Sequence, residues 1–214
     1  MENKMIQRLK EIREPKENTS TKAKVLISIG VALSGFLLGI FQKYIDGGVE
    51  MPQIFQSLDI VNYFGRFAVW MLLGTSISVY ASTPIRASLN TFLFFISMVS
   101  AYYLYCNFVS GFLPTSYMMI WVVLSFVSPL IAYICWYAKG KGIAAIAISA
   151  VILGVIFSQA FLITQGFYVT HILEVLTWIG ALIVLRRKPK EFAIEVGGSL
   201  IVAIIYQLFV PYWG

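Results

Sequence analysis

The sequence predicts an all-α membrane bundle of about seven transmembrane helices, with its N-terminus inside and its C-terminus outside. Three observations predict this. The composition is too apolar for water, long apolar runs recur along the chain, and cationic residues gather in alternate gaps between those runs.

The composition comes first. Of the 214 residues, 59% are hydrophobic and only 12% charged, and the mean hydropathy is +0.81. Soluble domains carry about 25% charged residues. A chain this apolar lacks the polar groups to cover a surface in water, so lipid is its solvent.

The runs cover residues 25–41, 61–80, 87–107, 117–137, 143–162, 169–185 and 192–209. Each is close to the ~20 residues a helix needs to cross a hydrocarbon core of about 30 Å. Backbone polar groups in lipid must be satisfied within the segment, which makes these runs helices. A β-barrel would show short alternating segments instead. Residues 1–24 form a basic cytoplasmic tail, and residues 25–214 the transmembrane bundle.

The charges set the orientation. The tail holds seven Lys/Arg and four Glu. Arg86, Lys139, Lys141, Arg186, Arg187, Lys188 and Lys190 fall in later gaps on the same side of a seven-span chain. Only Lys43 and Arg66 fall towards the other side. Cytoplasmic loops carry the excess of Lys and Arg, so the N-terminus is in and the C-terminus out. An even number of spans would break the alternation.

Within the tail, Met5, Ile6, Leu9 and Ile12 recur at helical spacing among Lys4, Arg8, Lys10 and Arg13. An amphipathic helix on the membrane surface, attracted to anionic lipid, or a disordered charged tail would both have this pattern. Glu14-Pro15 ends any helix there. The net charge of +6 is accounted for by these loop clusters. No basic stripe interleaved with exposed aromatics points to nucleic acid.

The long gap at residues 42–60 carries Gly47-Gly48 and a Pro52/Ile54/Phe55/Leu58 pattern that predicts a short interfacial helix. Trp121, Tyr117, Tyr212 and Trp213 fall near one interface, and Trp136, Tyr137 and Tyr80 near the other, as an aromatic belt. Cys106 and Cys135 lie near opposite ends of neighbouring spans, too far apart for a disulfide. Uncharged outer loops and no cleaved signal peptide fit a bacterial cytoplasmic membrane.

Candidate functional residues are the ionisable groups at membrane depth, which cost roughly 2.5–3.5 kcal/mol each on insertion scales. Arg66 sits about one turn inside span two. His171 and Glu174 share one face of span six. Asn62, Asn107, Gln159, Gln165 and Gln207, with Tyr102 and Tyr103, fall in the same outer half. With Phe67, Trp70, Phe161 and Phe167 they have the composition of a small-molecule pocket, mostly apolar with few polar groups. A binding site for a small molecule or lipid headgroup would use Arg66, His171, Glu174, Gln159, Gln207 and Asn107. The plainer reading is an Arg66–Glu174 ion pair pinning two helices, with the amides as interhelical bonds.

Glu195, near Arg187, Lys188 and Lys190, reads as a local ion pair. Gly35-x-x-x-Gly39, Ala150-x-x-x-Gly154 and Ala193-x-x-x-Gly197 are small-residue faces for close helix approach. They, and the basic tail, would also suit a non-catalytic subunit assembling with another membrane protein. No zinc-protease motif, nucleophile elbow, phosphate loop or paired acidic metal motif is present. One histidine cannot build a multi-histidine metal site, and no cofactor is implied. An intramembrane enzyme would have to rely on Glu174 or His171 without an evident nucleophile.

Overall fold

A computed structural model describes the backbone of residues 2–16, 19–47, 52–164 and 166–210, with side chains from Gln7 onward in those ranges. Gly48, Gln165, Tyr212 and Trp213 lie outside the described residues, as do the side chains of Met5 and Ile6.

The chain is 83% helical. Its helices are α1 (Glu2–Ile12), α2 (Thr21–Asp46), α3 (Gln53–Ser57), α4 (Ile60–Gly65), α5 (Phe67–Tyr80), α6 (Pro84–Tyr105), α7 (Thr115–Trp136), α8 (Gly142–Ala160), α9 (Ile172–Leu185) and α10 (Pro189–Phe209). Local chemistry sets several ends. Ser20 caps α2 by accepting from the Ala23 amide at 3.3 Å. Thr83 caps α6 through the Arg86 amide at 3.1 Å, with Pro84 in the first turn, where its missing N–H costs nothing.

Among the described residues, five helices are long and apolar enough to cross a membrane: α2, α6 with its following π-turn, α7 with its following 3-10 turn, α8 and α10. Two shorter apolar helices, α5 and α9, have 14 residues each. The outward faces are strongly apolar: Leu26 is 68% exposed, Phe126 61% and Ile201 61%. Patches of this extent on several helices mark surface meant for lipid rather than water.

The α5 helix sits between two groups. On one side it contacts α6 and α7, with α2 packed on α6; on the other it contacts α8 and α9, with α10 packed on α8. The most apolar window of α8 is 61% buried, against 11% for α2 and 17% for α10, so α8 is central and the other two are peripheral. The small-residue faces are used inside the molecule. A Cβ on Gly35 or Gly39 would strike the carbonyl oxygens of Phe94 or Met98 on α6. One on Gly154 would fall 2.6 Å from the Ser199 carbonyl oxygen on α10. A Cβ on Gly197 meets nothing within 4 Å.

Four spans differ from their expected form. The run at 61–80 is not one helix: Arg66 is extended (φ −91°, ψ 159°) between α4 and α5. The carbonyl freed at Phe64 accepts from the Gln42 side chain at 3.0 Å and from the Trp70 indole at 2.9 Å. Protein groups thus replace the missing helix bond, the condition for irregular backbone at membrane depth. The runs ending at 162 and starting at 169 give up their ends to a two-stranded hairpin, in which Phe161 pairs with Val169 and Leu162 with Tyr168. Gly166 turns it with φ +97°. Finally, α2 outruns its expected 25–41 at both ends. The short helix expected after Pro52 is α3.

Pro129 lies inside α7 and cannot donate to the Ser125 carbonyl. The Ser128 hydroxyl donates to that oxygen instead, at 2.8 Å.

The cations gather at the end of the bundle where α5, α7 and α9 terminate. Arg13 donates to the carbonyls of Val79, at 2.8 Å, and Trp136. Lys139 donates to Val184 at 2.8 Å. Arg187 donates to Gly140, at 2.9 Å, and to Ala138. Helix C-termini leave carbonyls unpaired and carry partial negative charge. The basic residues therefore cap the bundle from within. The tail shares in this: the Lys16 amide donates to the Ser82 carbonyl at 2.8 Å, and the Lys141 amide to the Ile12 carbonyl at 2.7 Å. Leu9 and Ile12 pack beside Trp136 and Tyr137.

Candidate functional site

At the opposite end the helix break presents Arg66 to two carboxylates on separate elements. Its Nε donates to Glu174 on α9, and its Nη1 donates to Asp59 Oδ2 at 2.7 Å. Asp59 precedes α4 in a left-handed conformation (φ 54°). It also accepts from the Asn62 amide at 2.7 Å, and His171 Nε2 lies 3.9 Å away. One turn along α9 from Glu174, Thr177 shares a 2.6 Å hydrogen bond with the Tyr63 hydroxyl. Together these contacts tie α4 to α9 beside the break.

Burial makes the network consequential. The Glu174 side chain is 1% exposed and that of Arg66 11%. Glu174 Oε2 and Arg66 Nη2 are buried without a hydrogen-bond partner. Two carboxylates share one guanidinium, leaving a formal excess of one negative charge when His171 is neutral. For Asp59 burial favours the protonated form, but the hydrogen bonds from Arg66 and Asn62 outweigh it and hold the carboxyl below its ordinary range.

On the other flank of α5 lies a chamber of about 100 Å³ between α5, α6 and α7. Its walls include Phe67, Trp70, Phe95, Met98 and Trp121, with hydroxyls from Thr75, Ser78, Thr91, Ser125 and Ser128. Ser78 donates to the Gly74 carbonyl at 2.6 Å, Ser125 to Trp121 at 2.8 Å and Ser128 to Ser125. These hydroxyl protons are spent on their own helices. The chamber is therefore mostly apolar and offers an occupant few free polar groups.

The structure brings Arg66, His171 and Glu174 together and adds Asp59. It uses the other candidates differently. Gln207 locks the hairpin: its amide donates to the Phe161 carbonyl at 2.6 Å and its oxygen accepts from the Ile163 amide at 2.9 Å. Gln159 is half-buried, and its backbone carbonyl accepts from Thr170 at 2.6 Å. Asn107 is exposed on the π-turn Cys106–Ser110. Tyr102 donates to Asp46 at 3.0 Å. Phe67 and Trp70 wall the chamber rather than the charged cluster.

Sequence reasoning missed Asp59 and the hydroxyl stripe. The signals were an acid seven residues before an arginine at depth, and Ser/Thr pairs three apart on α5 (Thr75, Ser78) and α7 (Ser125, Ser128). At the basic end, Arg187 Nε lies 3.2 Å from Glu195 Oε2, both side chains being buried.

Among the described residues no three His, Cys, Asp or Glu side chains come together as a metal site, and both cysteines are free and buried. No protein-family model, no curated protein and no solved structure matches this chain.

Proposed function

We propose that this chain is a seven-span membrane protein, N-terminus in and C-terminus out, that binds a small amphiphilic molecule. The apolar body would occupy the chamber between α5, α6 and α7. The polar end would lie towards the Arg66–Asp59–His171 cluster, entering from the outer side. The chamber is the observation that carries this reading. It is a void walled by two tryptophans, beside α2–α6 and α8–α10 contacts that close down to glycine. Arg66 and Phe67 are consecutive, so the chamber wall begins one residue from the cluster.

In this reading α4 and α9 form a charged latch above the chamber, and α5 is the element both parts share. The short α5 completes its crossing with α4, and the short α9 completes its crossing with the hairpin. Transport would require the latch to open; binding alone would not.

The test is extraction and mass spectrometry of small molecules from protein purified in mild detergent. Gly74 lines the chamber, and an added Cβ there meets the Phe95 ring at 3.2 Å and the Thr91 methyl at 3.8 Å. Gly74→Leu therefore directs its added side chain into the void, and its Cβ has side-chain atoms as its nearest neighbours. A stoichiometric molecule recovered from the wild type and lost from folded Gly74→Leu supports the proposal. Equal recovery from both, or none from either, refutes it.

A further inference from the structure

A larger cavity lies elsewhere. At the basic end a space of about 290 Å³ is enclosed between the tail segment and the adjoining ends of α2, α5 and α6. Four cationic residues line it: Arg13, Lys16, Lys24 and Arg86. Among the described residues no carboxylate lines it, and no carboxylate oxygen lies within 4.0 Å of any of the four charges.

Two of the four are held rigidly. Arg86 Nη2 donates to the Lys24 carbonyl and, at 2.8 Å, to the Ser28 hydroxyl. Ser28 in turn donates to buried Asn90 at 2.7 Å. Among the described residues no hydrogen bond engages Arg86 Nε or Nη1, on a guanidinium held in place through Nη2. Arg13 is fixed between two backbone carbonyls and lies 4.2 Å over the Trp136 ring. The lysines differ: among the described residues neither Lys16 nor Lys24 has a side-chain hydrogen-bond or ion-pair partner, and both line the space. A fixed guanidinium fork beside mobile ammonium groups suits a tetrahedral oxyanion, which the fork meets bidentately and the ammoniums meet as point charges. Four like charges gathered around one space repel one another, and a phosphate group relieves that repulsion.

We infer that this cavity binds a phosphate-bearing anion, either the headgroup of an anionic phospholipid or a free phosphate. The lipid source rests on the orientation proposed above, which puts the cavity at headgroup level. The free-phosphate source does not.

Two measurements on the full-length protein decide it. The first is native mass spectrometry after reconstitution in nanodiscs of phosphatidylcholine with phosphatidylglycerol, against phosphatidylcholine alone. The second is thermal unfolding in neutral detergent with added inorganic phosphate, against chloride at equal ionic strength. The key variant is Lys16→Gln/Lys24→Gln, which removes no bond of the fold. Lys190→Gln, an exposed cation at the same end but outside the cavity, is the control.

If the site takes lipid, wild type and control retain one phosphatidylglycerol per chain. The double variant retains it roughly tenfold or more weakly, since each surface cation contributes about 1 kcal/mol. If it takes free phosphate, phosphate raises the unfolding temperature of wild type and control but not of the double variant, and lipid retention is equal in all three. No retained lipid and no phosphate shift, or effects identical in the double variant, overturns the inference. Neither result depends on the chamber between α5 and α7.

Discussion

Glu174 and Arg66 show what burial does to a pair of charges. Their side chains are almost wholly removed from solvent, so each depends on the other. Arg66→Leu strands Glu174 without its cation and is expected to destabilise the protein by about 3–5 kcal/mol. Adding Glu174→Leu should restore much of that loss, because an apolar pair of similar volume leaves no charge buried. Thermal unfolding of the two single variants and the double variant in one detergent measures the coupling. A double variant as unstable as the sum of the singles would show that the pair acts independently. Asp59 gives the pH dependence. Its carboxyl is held below the ordinary range, so the folded state binds its proton more weakly than the unfolded state does. The stability this adds is present in full above the unfolded value of about 4. It fades as the pH falls through the depressed folded value. Asp59→Asn should remove that acid-side loss and leave a flatter stability profile below about pH 4.

At the scale of elements, glycine sets the close contacts on both sides of α5, of α2 with α6 and of α10 with α8. Gly39 lets α2 rest against the α6 backbone, where a Cβ would meet the Met98 carbonyl. Gly39→Ala should therefore push the helices apart and cost about 1–3 kcal/mol, the range for overpacking. Gly197→Ala, with nothing within 4 Å, should be neutral or mildly stabilising, since alanine is the better helix former. Unfolding of the two variants side by side separates packing from propensity. The α4–α5 break follows the same logic of satisfied groups. Gln42 and Trp70 supply the donors that Phe64 lost, so the irregular backbone at Arg66 is a stable part of the fold.

The whole molecule is polarised along its helices. One end carries the caps made by Arg13, Lys139 and Arg187, and the other carries Arg66 between two acids. In the proposed seven-span arrangement these ends face opposite sides of the bilayer. In a cysteine-free background in intact cells, Phe167→Cys is expected to react with an impermeant maleimide, and Lys190→Cys only after the membrane is permeabilised. Both residues are exposed. The reverse pattern would invert the orientation, and labelling of both from outside would show that α9 does not cross the membrane.

Composition and charge order alone determined that this is a helical bundle with apolar outer faces, where its main helices lie, and that its cations alternate between gaps. Those properties are additive along the chain: apolar length and the sign of each gap are readable one segment at a time. The Arg66–Glu174 pairing was legible too, because charge at membrane depth is rare enough for its partners to be few. Only the tertiary structure decided the break at Arg66, the part played by Asp59, the commitment of Gln207 to the hairpin and the folding of residues 13–16 onto the bundle end. It also placed Phe67 and Trp70 against α6 and α7 rather than in a polar cleft. Each of these depends on which carbonyl or carboxylate from a distant segment arrives beside a given side chain. Hydrogen bonds have a reach of about 3 Å, and no local pattern in a sequence encodes that proximity.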